Sequence, residues 1–280
     1  MVFVSAVILV ACILYVTMPT WTFLPPPLDA SEVGCLESVE ITVLIDNNPD
    51  GSLRSPWGIS MHVTTGDFSL LFDAGPDPRA LKENCERLGV NLTNLDTAVI
   101  SHEHGDHVNG LGYVAEMNEN LAVYVPKDMS ETCKNWIAGL GLSIVEVQDT
   151  CVISNGIAIV GELYGPPYEQ ALALNVKNLG LVVLVGCSHP GVDELVAKAA
   201  KDLECEPYAV IGGFHLEGAS SEVVADIAEA IVEMGLKEIY PMHCSGEGIR
   251  TLLSQDYPDI NGDGRVGMKL IFDGSSELDS

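Results

Sequence analysis

Three histidines and two carboxylates fall within six consecutive residues, His102, Glu103, His104, Gly105, Asp106 and His107. Neutral imidazoles crowded beside carboxylates are costly to desolvate unless a cation offsets them. This donor mixture suits zinc, iron or manganese. The run follows an apolar, β-branched stretch from Leu95 to Ser101 that reads as a buried strand, so the donors sit just past a strand's carboxyl end. Layered α/β folds build their sites at such ends. His62, by contrast, alternates with apolar neighbours between Ile59 and Val63 and reads as an ordinary residue of the fold.

Three further patches each close an apolar run. The run from Leu181 to Val185 leads into Gly186, Cys187, Ser188 and His189; that from Ala209 to Ile211 leads into Gly212, Gly213, Phe214 and His215. The run from Ile239 to Met242 leads into His243 and Cys244. Six of the chain's 7 histidines thus lie in four patches, which together predict one site assembled from four strand ends. No Gly-x-Ser-x-Gly motif occurs, so Ser188 and Ser245 read as hydrogen-bonding neighbours rather than nucleophiles.

Strands come first and then alternate with amphipathic helices, the clearest running from Ser220 to a stop at Gly235, which argues for an α/β layered fold. We read residues 39–274 as one catalytic domain, preceded by a linker over 25–38 and followed by an acidic tail over 275–280. Residues 1–24 read as a hydrophobic anchor or signal: no charge occurs from Met1 to Met18, and Pro25, Pro26 and Pro27 follow. No Lys or Arg precedes Arg54, so the segment cannot be oriented by charge. The expectation is a membrane-anchored or exported protein, or a cytoplasmic one if the chain starts later.

A net charge of -27, from 40 acidic against 13 basic residues, repels nucleic acid and anionic membranes. The expected partner is therefore a small molecule and not a nucleic acid; oligomeric state is open. The 8 cysteines show no disulfide framework, although Cys133 and Cys151 could bridge in an oxidising compartment. The segment from Asp259 to Gly264 resembles the start of a calcium loop, but Leu270 stands at the twelfth position where a bidentate carboxylate belongs, so a polar turn is expected.

The histidine run, with Asp73 in the stretch from Leu70 to Gly75 upstream, resembles the metallo-β-lactamase superfamily. Within it, the stretches from Thr42 to Asn47, Gly58 to Ser60, Glu169 to Leu172 and Gly186 to Gly191, the Gly-Gly-Phe-His of 212–215, and the His-Cys of 243–244 resemble a subgroup. That subgroup carries the label dihydropterin-methyl ribofuranosylaminobenzene phosphate synthase-like. The resemblance spans about residues 39 to 273. It implies an αββα four-layer sandwich with a mono- or dinuclear site: His102 and His104 on one metal, Asp106 and His107 on the second, His189 and His243 as further ligands. The pattern departs where Glu169 and Cys187 stand, which makes Glu169, Cys187 and His215 additional ligand candidates. Asp73, Asp46 and Asn47 are expected to orient ligands or meet substrate.

One or two Zn2+ ions are expected, with Mn2+ or Fe as alternatives. A metal lowering a water's pKa towards about 7 would supply hydroxide. Asp106 would orient it, and His215 would act as acid or oxyanion donor. The leading reading is a metal-dependent hydrolase of a small anionic ester, a phosphoester or phosphodiester. The alternatives are a pterin-pathway transferase or synthase, iron-based redox chemistry, and an anchored metal-binding module without turnover.

Overall fold

The computed structural model describes residues 32–275. The expected anchor at 1–24 and nearly all of the acidic tail lie outside the described residues. No helix among those described is long and apolar enough to cross a membrane.

Two mixed sheets pack face to face. The first contains β1 (Ser38–Ile45), β2 (Ser60–Thr64), β3 (Ser69–Phe72), β4 (Thr97–Val99), β5 (Ala122–Pro126), β6 (Ser143–Val147) and β13 (Lys269–Asp273). The second contains β7 (Cys151–Ser154), β8 (Ile157–Tyr164), β9 (Tyr168–Val176), β10 (Gly180–Val185), β11 (Pro207–Gly213) and β12 (Glu238–Met242). Their orders are β13-β1-β2-β3-β4-β5-β6 and β12-β11-β10-β9-β8-β7. Strands β3 to β6 run parallel, as do β10, β11 and β12, which brings the carboxyl ends of the site-bearing strands to one edge.

Side-chain alternation explains why both sheets are covered twice. Val39, Ile41 and Val43 of β1, Leu70 and Phe72 of β3, Leu172 and Leu174 of β9, and Val182 and Leu184 of β10 fill the layer between the sheets. Leu71, Ala98 and Leu44 point the other way, beneath α1 (Pro78–Leu88), α3 (Leu111–Met117) and α4 (Glu131–Gly139). Val183, Val185 and Val210 lie beneath α5 (Val192–Leu203), α6 (Ser221–Glu233) and α7 (Gly246–Asp256). Strands buried on both faces read as continuous apolar runs, and the result is the expected αββα sandwich.

Local signals hold in detail. Ser220 caps α6 through its hydroxyl on the Val223 amide, and Gly235 follows the helix at φ 85. The calcium-like segment is a turn in which the Gly262 amide donates to Ile239 O and Asp263 pairs with Arg265. Cys133 and Cys151 are free, as are the other described cysteines, so the bridge that an oxidising compartment would have allowed is not formed. The packed body also begins within the expected linker: Val33 and Leu36 are buried, and the Leu36 amide donates to Asn175 O across the second sheet.

His62 faces Ser69 Oγ across the β2-β3 ladder at 2.9 Å, and burial holds its imidazole below the ordinary value, with Glu40 opposing. The folded state therefore binds fewer protons than the unfolded chain as pH drops below about 6.5, and stability falls there. His62→Gln is expected to flatten the loss in urea midpoint of the metal-free protein between roughly pH 7 and pH 5. Parallel wild-type and variant profiles would refute this.

Candidate metal centre at the sheet edge

The histidine run leaves β4 and becomes a single helical turn, α2 (Gly105–Val108), so His102 and His104 sit on the strand exit while Asp106 and His107 lie on the turn. His189 follows β10, His215 follows β11 and His243 follows β12. All six imidazoles form one continuous cluster. Ring centroids lie 4.7 Å apart for His102 and His104, 4.1 Å for His102 and His107, 4.8 Å for His102 and His189, 5.2 Å for His107 and His243, and 4.4 Å for His189 and His215. His62 stands apart on β2.

Hydrogen bonds behind the rings select which nitrogen faces the centre. Asp73 takes the Ser101 amide at 2.7 Å on Oδ1, and on Oδ2 the Ser101 hydroxyl at 2.7 Å and His107 Nδ1 at 2.6 Å. With its proton committed to Asp73, the Ser101 oxygen, 2.9 Å from His102 Nδ1, accepts from that nitrogen. Asn47 Nδ2 donates to His243 O, which turns its Oδ1 towards His243 Nδ1 at 2.9 Å. In each case Nδ1 carries the proton and Nε2 keeps its lone pair for the site, the arrangement that supporting partners impose on ligand imidazoles.

The expected extra ligand Glu169 is placed differently. Its fully buried carboxylate accepts the backbone amides of Cys187 and Ser188 on Oε1, both at 2.8 Å, and of His189 on Oε2 at 2.7 Å. It shapes the loop after β10 from below and stands outside the clusters of converging donors. Burial pushes it up to about 7 against the pull of those amides. Gly186 is required beside it, because a Cβ there would strike Ser101 Oγ. Asp46 is likewise buried beneath the His243 turn, accepting the His243 amide at 2.7 Å and the Asn48 amide at 3.0 Å. Burial raises it, and those two amides oppose the rise.

Converging donors divide into two triads, His102 with His104 and His189, and Asp106 with His107 and His243, the donor atoms of each lying within 4.8 Å of one another. Cys187 groups with His102 and His107, one from each triad, and its Sγ lies 3.2 Å from His107 Nε2. Burial and the neighbouring imidazoles hold His102 well below its ordinary value, and burial with His215 and His104 takes His189 to about 4. His107 differs: burial works against its charged form, yet Asp73, Asp106 and Glu169 together raise it. Burial also opposes the charge of Asp106, but His243 and His107 hold that carboxyl well below the usual range.

The residues fit a divalent cation. Among the described residues His189 Nε2 is buried with no hydrogen-bond partner. His102 Nε2 and His104 Nδ1 converge at 3.1 Å, a contact between two acceptors unless something positive lies near them. Sequence reasoning missed two residues of this site. Ser101 carries no motif, though a short hydroxyl at a strand exit is a signal of a kind. Trp57, half exposed with its ring edge-on to His243 at 4.8 Å, carried none.

A two-sheet αββα body with histidines at one edge is the metallo-β-lactamase fold. Residues 69–157 match the Beta-lactamase superfamily domain. The chain is 26% identical over 234 residues to the 7,8-dihydropterin-6-methyl-4-(beta-D-ribofuranosyl)-aminobenzene-5'-phosphate synthase of Methanocaldococcus jannaschii, covering 68% of this chain and 80% of that protein. It is 28% identical over 246 residues to an uncharacterized protein of the same organism, covering 77% and 94%. A crystal structure of a metal-dependent hydrolase of the beta-lactamase superfamily superposes with a TM-score of 0.71 at 23% identity, covering 83% of this chain and 98% of that one. The chain therefore has the metallo-β-lactamase fold, and over residues 69–157 it is similar to the superfamily's domain; that fold implies a divalent metal.

Asp73→Asn should loosen the site without touching a donor atom. Metal affinity, measured by competition with a chelating dye, is expected to fall about 10–100-fold while the fold persists. Unchanged affinity would show that Asp73 does not orient His107.

Proposed function

We propose that the chain is a metal-dependent hydrolase of a small anionic ester, a phosphoester or phosphodiester, with Zn2+ as the resident ion and Mn2+ or Fe as alternatives. The observation that carries this reading is the convergence of six imidazoles and Asp106 on one strand-end edge, with His189 Nε2 buried and unpartnered. His102, His104 and His189 would hold one ion, and Asp106, His107 and His243 a second, with Cys187 between them. When bound, such ions supply Lewis acidity and lower the pKa of water towards about 7.

The chain's own residues would do the rest. Asp106, its Oδ2 3.2 Å from His243 Nε2 and 3.7 Å from His107 Nε2, would orient the attacking water by accepting a hydrogen bond from it. His215 lies on the exposed lip against the His189 ring, where its imidazole can hand a proton to the leaving oxygen. Trp57 beside His243 offers an aromatic wall for a ring-bearing substrate. An anionic substrate would meet a chain of charge -27, so its attraction must be local, which suits a small molecule better than a polymer.

A second reading, transfer to an acceptor other than water, is favoured by the printed name of the synthase with which the chain shares 26% identity. Incorporation of labelled oxygen from water into product separates the two.

A chromogenic phosphodiester assay with stepwise metal addition tests the leading reading. His104 is exposed, so His104→Ala should fold, and turnover should fall by more than the roughly 10–100-fold that loss of a supporting partner costs. Ester turnover that ignores both metal and His104 would sink the proposal.

A further inference from the structure

We propose that Cys187, His215 and Cys244 form a third cation position, a sulfur-rich site for a thiophilic divalent ion of the zinc, cadmium or cobalt class. The three side chains leave the ends of β10, β11 and β12, neighbouring parallel strands of one sheet, and their ligand atoms lie within 4.8 Å of one another. Zinc-to-donor bonds of about 2.0 to 2.3 Å place tetrahedral donors roughly 3.5 to 3.8 Å apart, so the triad needs only a small contraction to close on an ion.

The backbone makes room for this group. A Cβ on Gly213, at the end of β11, would strike Gly186 O and come within 2.8 Å of Cys244 Sγ, so a glycine keeps the space beside that sulfur clear. Both cysteines are 4% exposed and unbridged, whereas His215 is exposed. Two buried soft donors and one solvent-facing imidazole leave an open side for a fourth ligand. Cys244 Sγ meets the Cys187 thiol and the His215 ring, the other two donors of the triad, and makes a weak contact to Cys187 O at 3.6 Å.

Donor chemistry separates this position from the other two. Sulfur selects thiophilic ions, while the His102 and Asp106 triads offer nitrogen and oxygen alone. Cys187 faces both the His102 and His107 pair and the His215 and Cys244 pair, and a thiolate can serve two ions. The site shares Cys187 and His215 with the proposed hydrolytic centre and to that extent rests on the same reading; when filled, it would withdraw His215 from proton transfer, so excess thiophilic metal would inhibit.

Cobalt(II) titrated into the metal-free full chain reads the site directly. The expected result is sulfur-to-cobalt charge-transfer absorption in the near ultraviolet that Cys244→Ser diminishes together with loss of one equivalent of bound metal. His215→Ala, a change at an exposed side chain, should keep the fold and weaken that equivalent at least about tenfold. It carries the test if Cys244→Ser fails to fold. Absence of the sulfur band, its full retention in Cys244→Ser, or unchanged affinity in His215→Ala would overturn the proposal. A disulfide between Cys187 and Cys244, read by thiol counting in the freshly purified protein, would also overturn it. Ester turnover of the wild-type and Cys244→Ser chains, the latter changed at a side chain with no part in the proposed hydrolysis, separates failure of this site from failure of the hydrolytic reading.

Discussion

Three fully buried carboxylates, Asp46, Asp73 and Glu169, lie beneath the site, and each is turned onto backbone amides at a strand exit. A buried carboxylate is tolerated only where donors satisfy it, and a charge-assisted hydrogen bond contributes about 1.5–3 kcal/mol. Asp73 ties the exits of β3 and β4 together and holds His107. Glu169 arches the loop after β10 over its own oxygens, and Asp46 does the same for the turn after β12. These acceptors hold the loops in the geometry in which the imidazoles face one another. The sheets beneath are what hold the carboxylates in place.

Strain is concentrated at the same places. Asp73, Ser188, His215 and His243 all adopt left-handed backbone conformations, at φ 53, 60, 54 and 47. Such conformations cost on the order of 1–3 kcal/mol each outside glycine and persist only where surroundings impose them. Here the surroundings are the apolar layer between the sheets and the carboxylates at its edge. The strain turns the side chains of His215 and His243 back over the strand ends, towards the donors on the other exits.

Much of this architecture was legible along the chain. Buried parallel strands read as apolar runs because both faces are covered, and each run ended at a donor patch. The α6 cap at Ser220 and the turn in place of a calcium loop followed from local chemistry. The role of Glu169 did not, because its partners Cys187 to His189 are contributed by another strand and backbone amides leave no mark in sequence. Trp57 was invisible for a similar reason: 186 positions separate it from the His243 ring it touches. The packing of Val33 and Leu36 also escaped notice, since two isolated apolar residues carry no period.

By itself the sequence determined the fold class and which residue types gather at the strand exits. Residue types at strand exits and unbroken apolar runs are local properties, set by burial and by what imidazole, thiol and carboxylate can bind. Only the tertiary structure decided which donors share a triad, which carboxylate supports rather than ligates, and that Cys187 and Cys244 face a common histidine. Those outcomes depend on distances across two sheets, and distance between strands is fixed by pairing and packing, which no single stretch of chain contains.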